Sequence, residues 1–359
     1  MSRAFNFASG PAALPEPVLQ RAKAEFLDWG SARASVMEVS HRGKEFIALA
    51  EKAERDLREI LSVPSNYKVL FLQGGATQHF AQIPMNLANG KVADYLVTGH
   101  WGEKSVKEAA PYCTVQIVAN SASAKFMQLP PRAAWQLDAN AAYFHYTPNE
   151  TIAGVEIHEV PDVGAVPIIA DMSSTLLSRP LDVSKFGLIY AGAQKNIGPS
   201  GVVVLIIRDD LLERCPKSIP NIFNYAAHAK EGSMLNTPPT FAWYLAGLNF
   251  EWIKSEGGLT AIGERNRCKA ELLYGYIDGS GYYSNPVEVA ARSWMNVPFR
   301  LQDEALDDRF LKESEAAGLL ALKGHRSVGG MRASIYNAMP LAGVEALINF
   351  MKDFAARNG

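Results

Sequence analysis

Short apolar runs recur along the first part of the chain, at residues 68–72, 92–97, 114–118, 141–146, 166–171, 187–191 and 202–207. Each is bounded by glycine, proline or charged residues, and runs of this length predict strands buried on both faces. Between the first of them the polar and apolar positions take a helical period, at 77–87 and 101–110. Strands alternating with helices predict an α/β fold with a mostly parallel sheet covered by helices. Upstream, the breaker-rich stretch 7–15 predicts an extended loop, followed by helices at 16–29 and 44–61 that Ser40-His41-Arg42-Gly43 separates. Beyond residue 241 the pattern changes to a long helical stretch, 241–280, then a strand at 294–299 and two helices reaching about 356 with a strand at 331–335 between them. That predicts a smaller α+β domain, and divides the chain into an N-terminal segment 1–15, a large domain 16–255 and a small C-terminal domain 256–359.

Composition narrows the function classes. With 359 residues, 48% hydrophobic and 20% charged, the chain has the make-up of a globular enzyme of two unequal domains. Its net charge of −2 gives no electrostatic footprint for nucleic acid or an anionic membrane, although a local cluster of arginines is invisible in such a sum. Three widely spaced cysteines, Cys113, Cys215 and Cys268, argue for a reducing compartment and against a disulfide framework. The seven histidines show no metal-ligand spacing, so no metal is expected. No apolar leader opens the chain, and its longest candidate membrane run, 202–207, is too short to span a bilayer, so a soluble cytoplasmic protein is expected.

Two of the predicted strands end on chemistry. The run Val166-Pro167-Ile168-Ile169-Ala170 ends on Asp171, and Gly187-Leu188-Ile189-Tyr190-Ala191 leads through Gly192-Ala193-Gln194 to Lys195. Neighbouring strands would carry both to one sheet edge, where ligands of such folds bind. A carboxylate for a ring nitrogen and a lysine for a Schiff base are what pyridoxal phosphate chemistry requires. In isolation a solvated loop lysine and a capping aspartate would read the same way. The small residues before Lys195 admit a bulky group, and Gln73-Gly74-Gly75-Ala76-Thr77-Gln78, between a strand and a helix, offers free N–H groups to a phosphate. It is not a Walker motif, having no lysine at the required spacing.

The strings SGPAALP (9–15), SVMEVSHRGKEF (35–46), HYTPNETIAG (145–154), LSRPLDVSKFGLIYAGAQKNIGPSG (177–201), MLNTPPTFAWYL (234–245) and GHRSVGGMRASIYNAMPL (324–341) resemble the phosphoserine aminotransferase family. These are fold-type I pyridoxal-phosphate enzymes of the class V aminotransferase group. The resemblance implies that Lys195 forms the Schiff base and shuttles the substrate's proton, and that Asp171 partners the pyridine nitrogen. It implies further that Trp101 stacks on the ring, that Thr151 lies near its phenolic oxygen, and that Ala76, Thr77 and Gln194 hold the phosphate. Asn236 and Thr237 would reach that phosphate from a second subunit. Arg332 would take the substrate α-carboxylate, while His325 and Arg326, with His41 and Arg42 of the partner subunit, would take its phosphate. Many members carry arginine where Thr77 stands, so a hydroxyl here replaces a cation. The activity implied is a homodimeric transamination of serine biosynthesis between glutamate and 3-phosphohydroxypyruvate, with a 4-phosphohydroxythreonine step of pyridoxal phosphate synthesis as a second use.

Two other readings compete. One is a different fold-type I enzyme, such as a desulfurase or a serine–glyoxylate-type aminotransferase; a desulfurase would need a reactive cysteine in a loop at the site. A non-catalytic binder of phosphorylated ligands would carry the anion pockets without a yellow chromophore.

Overall fold

The computed structural model describes residues 3–359. Its centre is a seven-stranded sheet. In chain order the strands are β1 (Tyr67–Gly74), β2 (Val92–Val97), β3 (Thr114–Asn120), β4 (Phe144–Tyr146), β5 (Ile168–Asp171), β6 (Leu188–Gly192) and β7 (Gly201–Arg208). Across the sheet they run β3-β2-β4-β5-β6-β7-β1. β7 is antiparallel to both of its neighbours, and the other pairings are parallel.

The continuous apolar runs follow from this topology, because a sheet covered on both faces needs apolar side chains on both. Along β7, Val202, Val204 and Ile206 enter one core while Val203, Leu205 and Ile207 enter the other. The helices Lys44–Leu61 and Thr240–Ser255 pack together on the first face. Phe46, Ala50, Ala53, Leu57 and Leu61 form the buried stripe of the first of these, at the three- and four-residue spacing of one helix face.

A separate core lies in the C-terminal part, around the antiparallel strands Tyr283–Ser284, Asn296–Leu301 and Met331–Ser334 and the helices Asp307–Ala316 and Leu341–Asn358. Phe7 of the N-terminal segment is buried in it, and Phe5–Asn6 pairs with Leu319–Leu320.

Several elements differ in extent from the sequence expectation. The stretch 241–280 is two helices, Thr240–Ser255 and Gly258–Gly279, because Gly257 adopts φ +93° and turns the chain between them. The helix expected at 16–29 stops at Ala24. Its next apolar residues, Phe26 and Leu27, stay 45% and 81% exposed and give a longer helix no core to pack on. β5 begins only after Pro167, which has no N–H for a ladder.

Candidate active site

The carboxyl ends of β1, β2, β4, β5 and β6 lie on one edge of the sheet and meet a cavity of about 290 Å³. Asp171 is the last residue of β5, and Lys195 lies in the turn that follows β6. The cavity is lined by Ala76, Thr77, Trp101, Thr151, Asp171, Gln194, Lys195, His325 and Arg332 of the expected residues. His41, Arg42, Asn236, Thr237 and Arg326 are not among its lining residues. Asn236 instead donates to Gln73 Oε1 of its own chain at 2.9 Å, and Arg326 is exposed.

Asp171 is 5% exposed. Its Oδ1 accepts from the Ser173 amide at 3.0 Å and the Ser173 hydroxyl at 2.5 Å, and the same hydroxyl accepts from Gly192 N at 3.0 Å. Ser173 thus ties the end of β5 to the end of β6. Burial pushes the Asp171 carboxyl above its ordinary range, while the Ser173 bonds and the Lys195 charge pull it down. A cation bound against it would reverse that shift.

Lys195 Nζ donates to Thr151 Oγ1 at 2.6 Å. Burial lowers its pKa to about 8, against the opposing pull of Asp171 and Glu150, and with Arg332 adding to the fall. Arg332, on the strand Met331–Ser334, reaches in from the separate C-terminal core. Its Nη2 donates to Ser9 Oγ at 2.7 Å and its Nη1 to Thr151 O at 3.3 Å. Burial lowers its pKa as well. His325 Nδ1 lies 2.7 Å from Ser327 Oγ, and its ring centre is 6.0 Å from that of His100.

Ser9, Gly10, His100, Thr147, Asn149, Ser173 and Ser174 also line the cavity. Sequence reasoning did not single them out. The Ser9 and Gly10 contribution has no local signal, since a breaker-rich terminal loop carries no periodicity to place it. Ser173 was findable, because a serine two residues after a strand-ending aspartate can fold its hydroxyl back onto that carboxylate.

The class V aminotransferase family model matches residues 4–347. The chain belongs to the class V aminotransferases. It is 60% identical over 358 residues to the phosphoserine aminotransferase of Azotobacter vinelandii, covering 99% of both chains. Among solved structures it matches the phosphoserine aminotransferase of Bacillus circulans subsp. alkalophilus with a TM-score of 0.97, at 49% identity and 99% coverage of each chain. A pyridoxal-phosphate-bound phosphoserine aminotransferase from Trichomonas vaginalis matches with a TM-score of 0.94, at 44% identity over 98% of this chain and 100% of that one. The fold is therefore that of the fold-type I aminotransferases, and the cofactor of this aminotransferase is pyridoxal phosphate.

The cavity fits that cofactor. The helix Ala76–Leu87 has no side-chain cap, and the position ahead of it is open: a Cβ on Gly75 would meet no atom within 4 Å. First-turn N–H groups of an uncapped helix are a ready anion site. The buried Trp101 Nε1 and Thr147 Oγ1 have no partner among the described residues, as befits groups that await a polar ligand. Cys113, Cys215 and Cys268 do not line the cavity, and burial raises the pKa of the first two, which removes the support for a desulfurase. Among the described residues no cluster suited to a metal ion occurs, and no helix is long and apolar enough to cross a membrane.

Proposed function

We propose that this aminotransferase exchanges an amino group between glutamate and 3-phosphohydroxypyruvate, forming O-phospho-L-serine and 2-oxoglutarate in serine biosynthesis. The observation that carries the reading is one cavity holding Lys195, Asp171, Arg332 and His325 together. Pyridoxal phosphate, when bound, supplies the sink for the electron pair left as an amino acid's α-proton departs. Lys195 Nζ takes that proton and returns it, and its depressed pKa keeps a usable fraction of the amine neutral near physiological pH. Thr151 Oγ1 holds the amine in place. Asp171 supplies a buried negative charge at the cavity floor, and Trp101 supplies an aromatic face. The N–H groups of Ala76 and Thr77, together with Gln194, take the cofactor phosphate. Arg332 takes the substrate α-carboxylate by its guanidinium fork.

His325 and Arg326 then take the substrate phosphate, with His41 and Arg42 of the partner subunit, and Asn236 and Thr237 reach the neighbouring cofactor site. A homodimer of this kind is supported by the apolar surface that one chain leaves uncovered: Phe26, Leu27 and Met37 are 45%, 81% and 47% exposed. We place the enzyme in the cytoplasm, in keeping with its free cysteines. Purified protein assayed with phosphoserine, phosphohydroxythreonine and serine, each with 2-oxoglutarate, tests the substrate class. Turnover of serine equal to that of phosphoserine would refute it.

The two arginines are expected to separate by substrate. Arg326→Ala will lower kcat/KM for phosphoserine far more than for glutamate, since loss of one partner from an ion pair that the bound substrate and partner subunit desolvate costs about 2–5 kcal/mol. Glutamate suffers less, because its side-chain carboxylate makes fewer contacts in the same cationic pocket. Arg332→Ala will lower both alike, since both donors present an α-carboxylate. The ratio of the two kcat/KM values decides: a fall in Arg332→Ala with a constant ratio in Arg326→Ala would reverse the assignment.

Shared sites give a second test. Lys195→Ala and Arg42→Ala homodimers should each be inactive, but a mixed dimer would place both defects in one site and leave the other intact. Activity should return when the two are mixed and allowed to exchange. Purified heterodimers without activity would show that each site is built from one chain.

A further inference from the structure

Glu150 is fully buried and forms no ion pair among the described residues. Its carboxylate instead straddles the start of the helix His100–Ala109: Oε2 accepts from Trp101 N at 3.0 Å and Oε1 from Gly102 N at 2.8 Å. That helix has no side-chain cap of its own at Gly99. The fit is built from both sides. A Cβ on Gly99 would fall 2.4 Å from Glu150 Cγ and Cδ, and one on Gly102 would fall 3.3 Å from Oε1. Since φ of Gly99 is 178°, an extended value open to any residue, the glycine is required by the carboxylate and not by the backbone.

The next residue, Thr151, accepts from Lys195 through its hydroxyl and from Arg332 through its carbonyl. Two consecutive residues therefore join the aromatic-bearing helix, the lysine and the arginine. We propose that Glu150 is a positioning residue of the reaction, capping the helix His100–Ala109 so that the Trp101 ring is held flat against the bound cofactor. The inference rests on the reading of Trp101 as the aromatic that faces the cofactor. A carboxylate suits this place because the first N–H groups of a helix carry its positive pole. Burial drives the Glu150 carboxyl up to about 7, with the Trp101 and Gly102 amides and Lys195 opposing and Asp171 adding to the rise. That cost is tolerated in a core position where a neutral acceptor could not engage both amides as strongly.

The test uses the holoenzyme of Glu150→Gln, Trp101→Phe and the double variant, read by visible circular dichroism of the bound cofactor and by its release rate. In Glu150→Gln an amide NH2 meets one of the two N–H donors and that bond is lost. The dichroic band is expected to weaken and cofactor release to quicken on the order of tenfold, the size of losing one charge-assisted hydrogen bond. Because Glu150 acts through Trp101, the double variant should lose little beyond the single ones. Additive losses, or an unchanged band in Glu150→Gln while Trp101→Phe alters it, overturn the proposal and leave the Trp101 reading standing. An unchanged band in Trp101→Phe removes that reading and the proposal with it. If Glu150→Gln does not fold, Glu150→Asp, which keeps the charge but is one methylene short of spanning both amides, is read by the same measurements.

Discussion

Lys195→Ala will leave a folded protein with almost no transamination. The cavity lining supplies no second amine, and in the proposed mechanism Nζ both attaches the cofactor and moves the α-proton. Loss of the proton transfer alone costs on the order of 10²–10⁴ in rate, and loss of covalent capture adds to it. Borohydride reduction of the wild-type holoenzyme followed by peptide mapping should find the cofactor on Lys195, and a reduced linkage on any other lysine would overturn the assignment. The depressed pKa adds a pH signature. The neutral amine is the nucleophile, so capture of cofactor by the apoprotein should accelerate as pH rises through about 8 and level off above it. An ordinary lysine would keep accelerating beyond pH 10. The growth rate of the visible band in reconstitution, measured against pH, reads this directly.

The fold was legible in the chain where both faces of a strand are buried. The runs ending on Asp171 and approaching Lys195 are apolar at every position because cores lie on both sides of the sheet, and that topology leaves a continuous signature. Where one face is open, legibility fell. Phe26 and Leu27 carry helical periodicity, yet the chain folds them outward. Gly257 and Gly258 break the stretch 241–280, but a glycine pair inside a periodic stretch reads equally well as a tolerated interruption.

The same division holds for the site. Residues at strand ends, Asp171 and Lys195, announce themselves through the run that precedes them. Glu150 does not: in the sequence it is one carboxylate in a polar loop. Only the three-dimensional return of its short strand, Asn149–Glu150, to Gly99 and Gly102 gives it a role. Ser9 is similar, since its hydroxyl meets Arg332 across 323 residues of chain. Residue pairs this distant leave no local pattern, and the resemblance to a family gave SGPAALP its place without identifying what Ser9 touches.

Asp171→Asn separates charge from shape. The amide keeps the volume of the carboxylate, and its oxygen still accepts from Ser173, so the ends of β5 and β6 stay tied and the cavity is preserved. What disappears is the buried negative charge. Both Ser173 bonds fall on Oδ1, so Oδ2 is the oxygen left to meet a cationic ring nitrogen, and an amide NH2 there would present a donor to a donor. Removing one preorganised electrostatic partner from an enclosed site costs on the order of 10²–10³ in turnover. Cofactor should remain bound, because the helix start at Ala76 and Thr77, Gln194, Trp101 and Lys195 are untouched. The variant is therefore expected to be coloured and slow, with kcat falling much more than cofactor content. Single-turnover reaction with phosphoserine, followed by loss of the visible band, measures the affected step without product release. Near-normal turnover in a folded, coloured Asp171→Asn protein would mean that the electron sink is tuned by other groups, with Glu150, the other buried carboxylate coupled to Lys195, as the first to examine.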